Sequence, residues 1–267
     1  MNATASVERA KPSAMDSAAG IEIAAATYNI HRCVGTDGRY SPGRIAEVIS
    51  ELEADIVGLQ EVDRRLTAGP GGDQLSYIAD RLGYHVAAED SGQAASLSGG
   101  WRNRRCHNAI LSRWPIRSCR LLDLAVPGRE PRSAIDTKIA LGNAHDTALL
   151  NAVVTHFGLR AGERRRQLQE LLGQLDKTGD QDSPLLLMGD LNEWRRAGPV
   201  SRGLDAVLMC GQSVRSFPSR YPVFPLDRIC GRSLVMVTEP HRHTSKLARV
   251  ASDHLPIRAV FKLLSLR

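Results

Sequence analysis

The stretch LLLMGDLNEWR, from Leu185 to Arg195, ends an apolar run with a carboxylate and a carboxamide two residues apart. In a β-strand, residues i and i+2 point to the same face, so Asp190 and Asn192 would lie side by side at the end of the strand. A carboxylate held there can take a proton from water. Asp and Asn are also common turn residues that bond their own backbone. This stretch alone leaves both interpretations open.

Polar residues also stand at the ends of several other predicted strands. They are Asn29, Glu61, Asn108 (at a strand's start), His156, Asp253 and His254. If these ends share one rim of a sheet sandwich, the side chains can meet. Glu61, Asp190 and Asp253 are oxygen donors that suit Mg²⁺ or Mn²⁺, and two histidines suit phosphate binding or acid–base work. Taken singly, each residue could instead form a turn, assist a helix cap or be a buried structural histidine.

The elements that would position these residues are readable from the hydrophobic pattern. Apolar residues spaced i, i+3, i+4, i+7 predict helices from about Ile45, Leu75 and Leu168. Apolar or β-branched runs predict strands at IEIAAATYNI, DIVGLQEVD, HNAILS, SAIDTKIAL, ALLNAVVTH, LLLMGD, PLDRICG, SLVMVTE and LPIRAVFKL. This order favours two sheets packed face to face with helices outside over an alternating barrel. We expect a mobile tail over residues 1–20, without a readable secretory signal, and a single domain over 21–267.

Composition restricts the partners. Hydrophobic residues make up 42% of the 267 residues, as in a globular protein. The net charge of +6 and the pI near 9.3 favour an anionic partner such as nucleic acid, phospholipid headgroups or another phosphate ester. The five scattered cysteines form no CxxC pair, which predicts neither a zinc site nor a disulfide framework and is typical of a reducing compartment. No apolar run approaches the roughly 18 residues of a membrane span, so we expect a cytoplasmic protein.

Seven ordered segments resemble a known family. TYNIH, VGLQEVD, HNAILSRWPI, VVTHFGLR, LLLMGDLNEW, PLDRI and SDHLP are similar to the successive motifs of the endonuclease/exonuclease/phosphatase superfamily, from about Ile21 to Phe261. That superfamily includes DNase-I-like nucleases, apurinic-site exonucleases, inositol polyphosphate 5-phosphatases and neutral sphingomyelinases. The closest likeness is to a small bacterial subgroup. The resemblance implies a four-layer α-β-β-α sandwich of two mostly antiparallel sheets, with the site at one rim.

The resemblance also implies roles for individual residues. Glu61 would be the main metal ligand, with Asn29 and Asp253 in the same metal shell. Asp190 would orient or deprotonate the attacking water, assisted by Asn192. The remaining three residues would act on or near the scissile phosphate: His156 and His254 would bind it, and Asp227 would hold His254 in its useful tautomer.

Loops outside these motifs would choose the substrate. Three residues near the expected rim are candidates for substrate binding: Asn108, Arg132 and Arg160. The basic segment WRNRRCHN leads to the rim at Asn108. We expect the three arginines 164–166 to form a solvated helix surface. The aromatic residues of FPSRYPVFP either stack on a base or line a pocket, or they cover the core.

These observations together predict a Mg²⁺- or Mn²⁺-dependent hydrolase of phosphodiester bonds. Nucleic acid is the first expected substrate, and we expect a monomer. One alternative is a phospholipid or small-molecule phosphoesterase of the sphingomyelinase or inositol-phosphatase type. A remote alternative is a non-catalytic basic binding module, which would have no use for Glu61, Asp190 and His254 together.

Overall fold

The computed structural model describes residues 20–63, 73–89, 106–143, 146–177 and 182–264. The expected N-terminal tail and most of the basic segment after residue 100 lie outside these ranges. None of the helices in the described ranges combines the length and apolar character needed to cross a bilayer.

Eleven strands and five helices make up the described part of the chain. The strands are β1 Ile21–Asn29, β2 Ile56–Val62, β3 His85–Ala88, β4 His107–Ser112, β5 Ile116–Asp123, β6 Ser133–Asn143, β7 Asp146–His156, β8 Leu185–Asp190, β9 Asp227–Arg232, β10 Val235–Arg242 and β11 Ile257–Leu263. The helices are α1 Pro42–Glu51, α2 Gln74–Leu82, α3 Ala161–Asp176, α4 Pro199–Asp205 and α5 Ala248–Ala251.

The strands form two sheets. One has six strands in the order β10-β11-β1-β2-β4-β3, and the other has five in the order β5-β6-β7-β8-β9. Neighbours are antiparallel except β1 with β2 and β7 with β8. The predicted sandwich of two mostly antiparallel sheets is therefore confirmed.

Three hydrophobic clusters hold the layers together. The central one packs the two sheets face to face, with Phe261 and Ile56 of the first sheet against Met188 and Val154 of the second. Helices α1 and α2 cover the outer side of the six-stranded sheet with Ile45, which is fully buried. Helix α3 covers the five-stranded sheet. Burying apolar side chains on both faces of each sheet gives the layer order that the hydrophobic pattern predicts.

A disulfide joins Cys210 to Cys230 of β9, 20 residues further along the chain. Met209 and Gly231 exchange two backbone hydrogen bonds of 2.8 Å, and this pairing places the two cysteines directly opposite each other. The expectation that the cysteines form no disulfide is wrong, because the pairing depends on strand register and not on spacing along the sequence. The argument from cysteine usage to a reducing compartment therefore loses its basis.

We predict that replacing both bridged cysteines by alanine (C210A/C230A) lowers the free energy of unfolding by about 2–4 kcal/mol, since the bridge restricts a 20-residue loop in the unfolded chain. Urea unfolding of the oxidised wild type and the double variant measures this difference. The matched control is Cys106→Ala, which removes a free thiol. Equal midpoints for all three proteins would show that the bridge does not stabilise the fold.

Candidate active site

The carboxyl ends of β7 and β8 and the start of the antiparallel strand β9 bring His156, Asp190 and Asp227 together. The strand register pairs His156 of β7 with Asp190 of β8, and Asp190 with Asp227 of β9. Gly189, just before Asp190, has no side chain because a Cβ atom there would lie 2.2 Å from the carbonyl oxygen of Thr155. Close packing of β7 and β8 therefore sets the separation of the two functional strand ends.

Asp190 is the centre of the site. Its Oδ1 accepts a hydrogen bond of 2.9 Å from the backbone N–H of Asn192. Its Oδ2 accepts one of 3.0 Å from Asn29 Nδ2 and lies 3.5 Å from His156 Nε2 and 3.7 Å from His254 Nε2. One carboxylate oxygen thus fixes the local turn, and the other faces the amide of Asn29 and the two imidazoles.

Asn192 does not continue the strand, because β8 ends at Asp190 and Asn192 has a left-handed backbone with φ of 49°. The turn interpretation of this pair is therefore correct. The Asn192 side chain donates to the carbonyl of Phe157 over 2.9 Å and lies 3.1 Å from His156 Nε2. A carbonyl can only accept, so this contact orients the amide with its NH₂ group toward both partners.

Asn29 connects the two sheets at the rim. Its Nδ2 lies 3.1 Å from Glu61 Oε1 and 3.0 Å from Asp190 Oδ2, while its Oδ1 accepts from the backbone N–H of His31. Two carboxylates from different sheets therefore approach one amide nitrogen. Glu61 follows an irregularity in the β2–β4 pairing and has φ of 57°, a strained conformation of the kind that clusters at functional sites.

Asp253 lies beside Asn29 and Glu61, and its neighbour Ser252 is hydrogen-bonded to Asn29. Ser252 Oγ donates to the backbone carbonyl of Asn29 over 2.7 Å. The Asp253 carboxylate is partly exposed and lies 4.0 Å from His31 Nδ1. The predicted metal residues Glu61, Asn29 and Asp253 thus share one rim, and His31 is a neighbour that the sequence did not single out.

His254 is held between two carboxylates. Its Nδ1 lies 2.8 Å from Asp227 Oδ2, which also accepts a hydrogen bond of 2.5 Å from Ser216 Oγ. Burial alone would lower the pKa of His254, but the carboxylates of Asp227 and Asp190 outweigh it and raise the pKa to about 10. Burial raises the pKa of Asp190 to about 7, against the opposing charge of His254. The raised pKa of His254 favours the imidazolium form of this side chain between the two carboxyl groups.

The three residues proposed for substrate binding lie in different surroundings. Asn108 is buried, and its Nδ2 donates both to Glu89 Oε1 and to the carbonyl of Ser133. Arg132 is 7% exposed, contacts Glu130 over 3.0 Å, and has a buried Nε without a hydrogen-bond partner. Arg160 is exposed at the start of α3. Glu89, a buried carboxylate at the end of β3, was missed because a polar residue ending a four-residue strand leaves little signal.

The arginines of α3 are not all solvated. Arg165 and Arg166 are exposed as expected, but Arg164 is buried, with Nη1 donating to the carbonyl of Leu159 and Nη2 lying 3.6 Å from Glu193 Oε1. Glu193, in the motif LLLMGDLNEW, also accepts from the backbone N–H of Val200. This buried ion pair fixes the loop after Asn192 to α3, so the expectation for Arg164 is wrong.

The aromatic residues of FPSRYPVFP divide into two groups. The Phe217 ring lies 4.8 Å from the His254 ring, and Trp194 packs edge-on against Phe224 at 4.8 Å. Tyr221 is 79% exposed. Phe217 thus supports the site, whereas Tyr221 projects into solvent.

Comparison with known proteins agrees with this geometry. The sequence model described as "Endonuclease/Exonuclease/phosphatase family" matches residues 26–254. The chain belongs to the endonuclease/exonuclease/phosphatase family. Members of this family are phosphoesterase hydrolases, and the expected family is therefore confirmed.

Similar proteins cover most of the chain. The protein YbhP of Escherichia coli (strain K12) is 28% identical over 254 residues, which are 89% of this chain and 95% of YbhP. An endonuclease/exonuclease/phosphatase from Beutenbergia cavernae DSM 12333 superimposes with a TM-score of 0.66 at 24% identity, covering 91% of this chain and 72% of its own. Another from Bacteroides vulgatus has a TM-score of 0.71 at 18% identity, covering 91% and 99%. At these identities the two structures show the shared fold alone.

We predict that His254 stays protonated well above neutral pH in the metal-free protein. The pKa of His254 in the folded protein lies above the value of roughly 6.5 for an unfolded histidine. Protonation of His254 therefore stabilises the fold, fully below about pH 6.5, and this stabilisation is lost as the pH rises through about 10. Asp227→Asn removes a carboxylate that raises the pKa of His254, so it should lower that pKa by about 1–3 pH units. Side-chain ¹⁵N NMR titration in EDTA measures both values. The other histidine signals serve as the internal control, and a neutral imidazole at pH 7 in the wild type would contradict the assignment.

The Arg164–Glu193 pair yields a second prediction. Glu193→Ala should lower the free energy of unfolding by about 3–5 kcal/mol, because it leaves a buried guanidinium without its counter-charge. Glu170→Ala, on the exposed part of the same helix, is the control and should change stability by about 0.5 kcal/mol or less. Chemical denaturation of the two variants compares them. Similar losses in both would mean that the pair does not stabilise the loop.

Proposed function

We propose that the protein hydrolyses phosphodiester bonds with a divalent cation, Mg²⁺ or Mn²⁺, and that nucleic acid is its substrate. One observation carries the proposal: a buried carboxylate, Asp190, faces an imidazolium, an amide and a second histidine through a single oxygen. A phosphodiester is anionic and repels hydroxide, so its hydrolysis needs neutralising charge together with a base. The site supplies both.

The donor set at the rim fits a hard divalent cation. Glu61 and Asp190 both approach Asn29 Nδ2, so two carboxylates share a small space with one amide, and the Asp253 carboxylate lies at the same rim. Oxygen ligands of this type are those that Mg²⁺ and Mn²⁺ prefer. Glu61 would be the principal ligand, with Asp253 and Asn29 nearby. When bound, such a cation acts as a Lewis acid that stabilises charge developing on the phosphate.

Asp190, Asp227 and His254 also come within 4.8 Å of one another through potential ligand atoms. We assign this group to proton and charge control instead of metal binding. His254 Nδ1 is already directed at Asp227, and a protonated imidazole offers no lone pair to an ion. Its Nε2–H remains available to a phosphoryl oxygen.

The residues divide the reaction between them. Asp190 Oδ2 takes a proton from the attacking water while the backbone N–H of Asn192 fixes the orientation of the carboxylate. The water oxygen bonds to phosphorus and the P–O bond to the leaving group breaks. His254, kept cationic by Asp227, donates from Nε2 to the phosphoryl oxygens as negative charge grows there. His156, whose Nε2 lies beside the Asn192 side chain, also binds the scissile phosphate.

Asp190→Asn keeps the shape of the side chain and removes the base, so we expect hydrolysis of bis-p-nitrophenyl phosphate to fall by about 10²–10⁴-fold. EDTA should abolish the wild-type activity, and Mg²⁺ or Mn²⁺ should restore it. Asp80→Asn, an exposed carboxylate on α2, is the charge-matched control and should retain activity. Release of p-nitrophenol from the diester and from p-nitrophenyl phosphate is followed in parallel with plasmid nicking.

The substrates separate the candidate activities. Diester cleavage with nicking supports a nuclease, and diester cleavage without nicking indicates a lipid or small-molecule phosphodiesterase. Faster hydrolysis of the monoester would identify a phosphatase. A wild type without metal-dependent hydrolysis of any substrate would overturn the proposal.

A further inference from the structure

A basic cavity of about 690 Å³ opens between the end of the edge strand β10 and the loop that follows Cys210. Its main lining residues are Arg196, Gln212, Ser213, Arg215, His241 and Arg242. Three arginines and a histidine thus face one space, and all four are exposed. Among the described residues, none that lines the cavity is acidic, and none of the three arginines forms an ion pair. The chemistry of the cavity is that of an anion site.

The topology places this basic cavity at the same rim as the candidate active site. Arg242 pairs with Ile257 of β11, which pairs with Thr27 of β1, two residues before Asn29. On the other side, Arg215 immediately precedes Ser216, whose hydroxyl holds Asp227. Strand β10, through Arg242, and the loop that carries Arg215 therefore bring cations to the rim that also carries Asn29 and Asp227.

The loop around Ser213, which lines the cavity, is held by hydrogen bonds. Arg228 of β9 is buried, with Nη1 donating to Ser213 Oγ over 2.5 Å and Nη2 to Asp205 over 2.8 Å. Ser213 in turn donates to the carbonyl of Arg196. The acidic Glu239 is outside the lining and accepts from the backbone N–H of Gln212. Arg215 is thus carried by an anchored loop, which the Cys210–Cys230 bridge closes at its base, and Ser213 ties the backbone of Arg196 to that loop.

Aromatic side chains connect the two places. Phe217 lies against His254, and Trp194 lies 6.3 Å from Phe217 with 40% of its surface exposed. Arg196 of the cavity follows Trp194 by two residues. The order along the rim is therefore imidazolium, aromatic surface, arginine cluster. This alternation matches a nucleic-acid strand, in which flat bases alternate with phosphates.

We propose that the basic cavity binds a phosphate of a nucleic-acid strand adjacent to the scissile phosphate, with Trp194 stacking on the nucleotide between them. This inference rests on the proposed function and narrows the substrate to one carrying several phosphates. A phosphate placed among three guanidinium groups gains charge-assisted hydrogen bonds that a single small diester cannot reach.

The test measures binding to the inactive Asp190→Asn protein in EDTA, so that it does not depend on catalysis. Fluorescence anisotropy measures the affinity for a labelled deoxythymidine 8-mer and for a labelled dinucleotide. Two proteins are compared: the Asp190→Asn protein, and the same protein that also carries Arg215→Gln and Arg242→Gln. We expect the double change to weaken binding of the 8-mer at least 10-fold and to leave the dinucleotide nearly unaffected. The salt dependence for the 8-mer should become shallower by about 0.7 for each lost phosphate contact.

Arg81→Gln with Arg117→Gln is the matched control, because it removes the same charge from residues near the opposite ends of the strands. Equal weakening in the control, or unchanged 8-mer affinity in the cavity variant, overturns the inference. Equal weakening for dinucleotide and 8-mer does so too, since the cations would then act on the scissile phosphate. Loss of binding to phosphatidylglycerol vesicles without loss for the 8-mer would assign the cavity to a lipid surface instead.

Failure of the proposed function is distinguishable from failure of this inference. If the wild type cleaves bis-p-nitrophenyl phosphate but the cavity variant binds the 8-mer normally, only the cavity proposal is wrong. If the wild type cleaves no diester yet the cavity variant loses 8-mer binding, the cavity proposal holds and the catalytic one is wrong. An oligouridine 8-mer in the same assay distinguishes an RNA strand from DNA.

Discussion

The burial of the Asp190 carboxylate is the constraint on which the rest of the site depends. An ionised carboxylate removed from water is costly unless hydrogen bonds and opposite charge compensate it. The backbone N–H of Asn192 and the amide of Asn29 provide the hydrogen bonds, and His254 provides the charge. Because these partners come from both sheets, the sandwich must close before the carboxylate is compensated. Fold and site are therefore assembled by the same contacts.

A second set of contacts keeps the partners of Asp190 in place. Asp227 holds His254, Ser216 holds Asp227, and the loop that carries Ser216 is closed by the disulfide at Cys210. On the other flank, Arg164 and Glu193 attach the turn of Asn192 to α3. The two flanks use different chemistry, a covalent bridge and a buried ion pair, yet each immobilises one loop at the rim. Such support determines how accurately a site of this type is organised.

The sequence predicts the long elements well, and it fails where three-dimensional pairing decides. The helices and core strands follow from apolar periodicity, and the polar strand ends follow from their position. Strand β5 was missed because most of its residues are partly or fully exposed and it lacks an apolar face. The Cys210–Cys230 bridge was missed because it depends on the pairing of Met209 with Gly231. The burial of Arg164 depends on Glu193, which is distant in sequence.

The position of Trp194 has a practical consequence. Tryptophan emission changes with the polarity and the quenching groups around the indole ring. Trp194 is partly exposed and packs edge-on against Phe217 and Phe224, beside His254. Trp114, the other tryptophan among the described residues, packs against the central core between the sheets. The protein thus carries an intrinsic optical reporter at its rim, which can follow occupancy of the site without any added label.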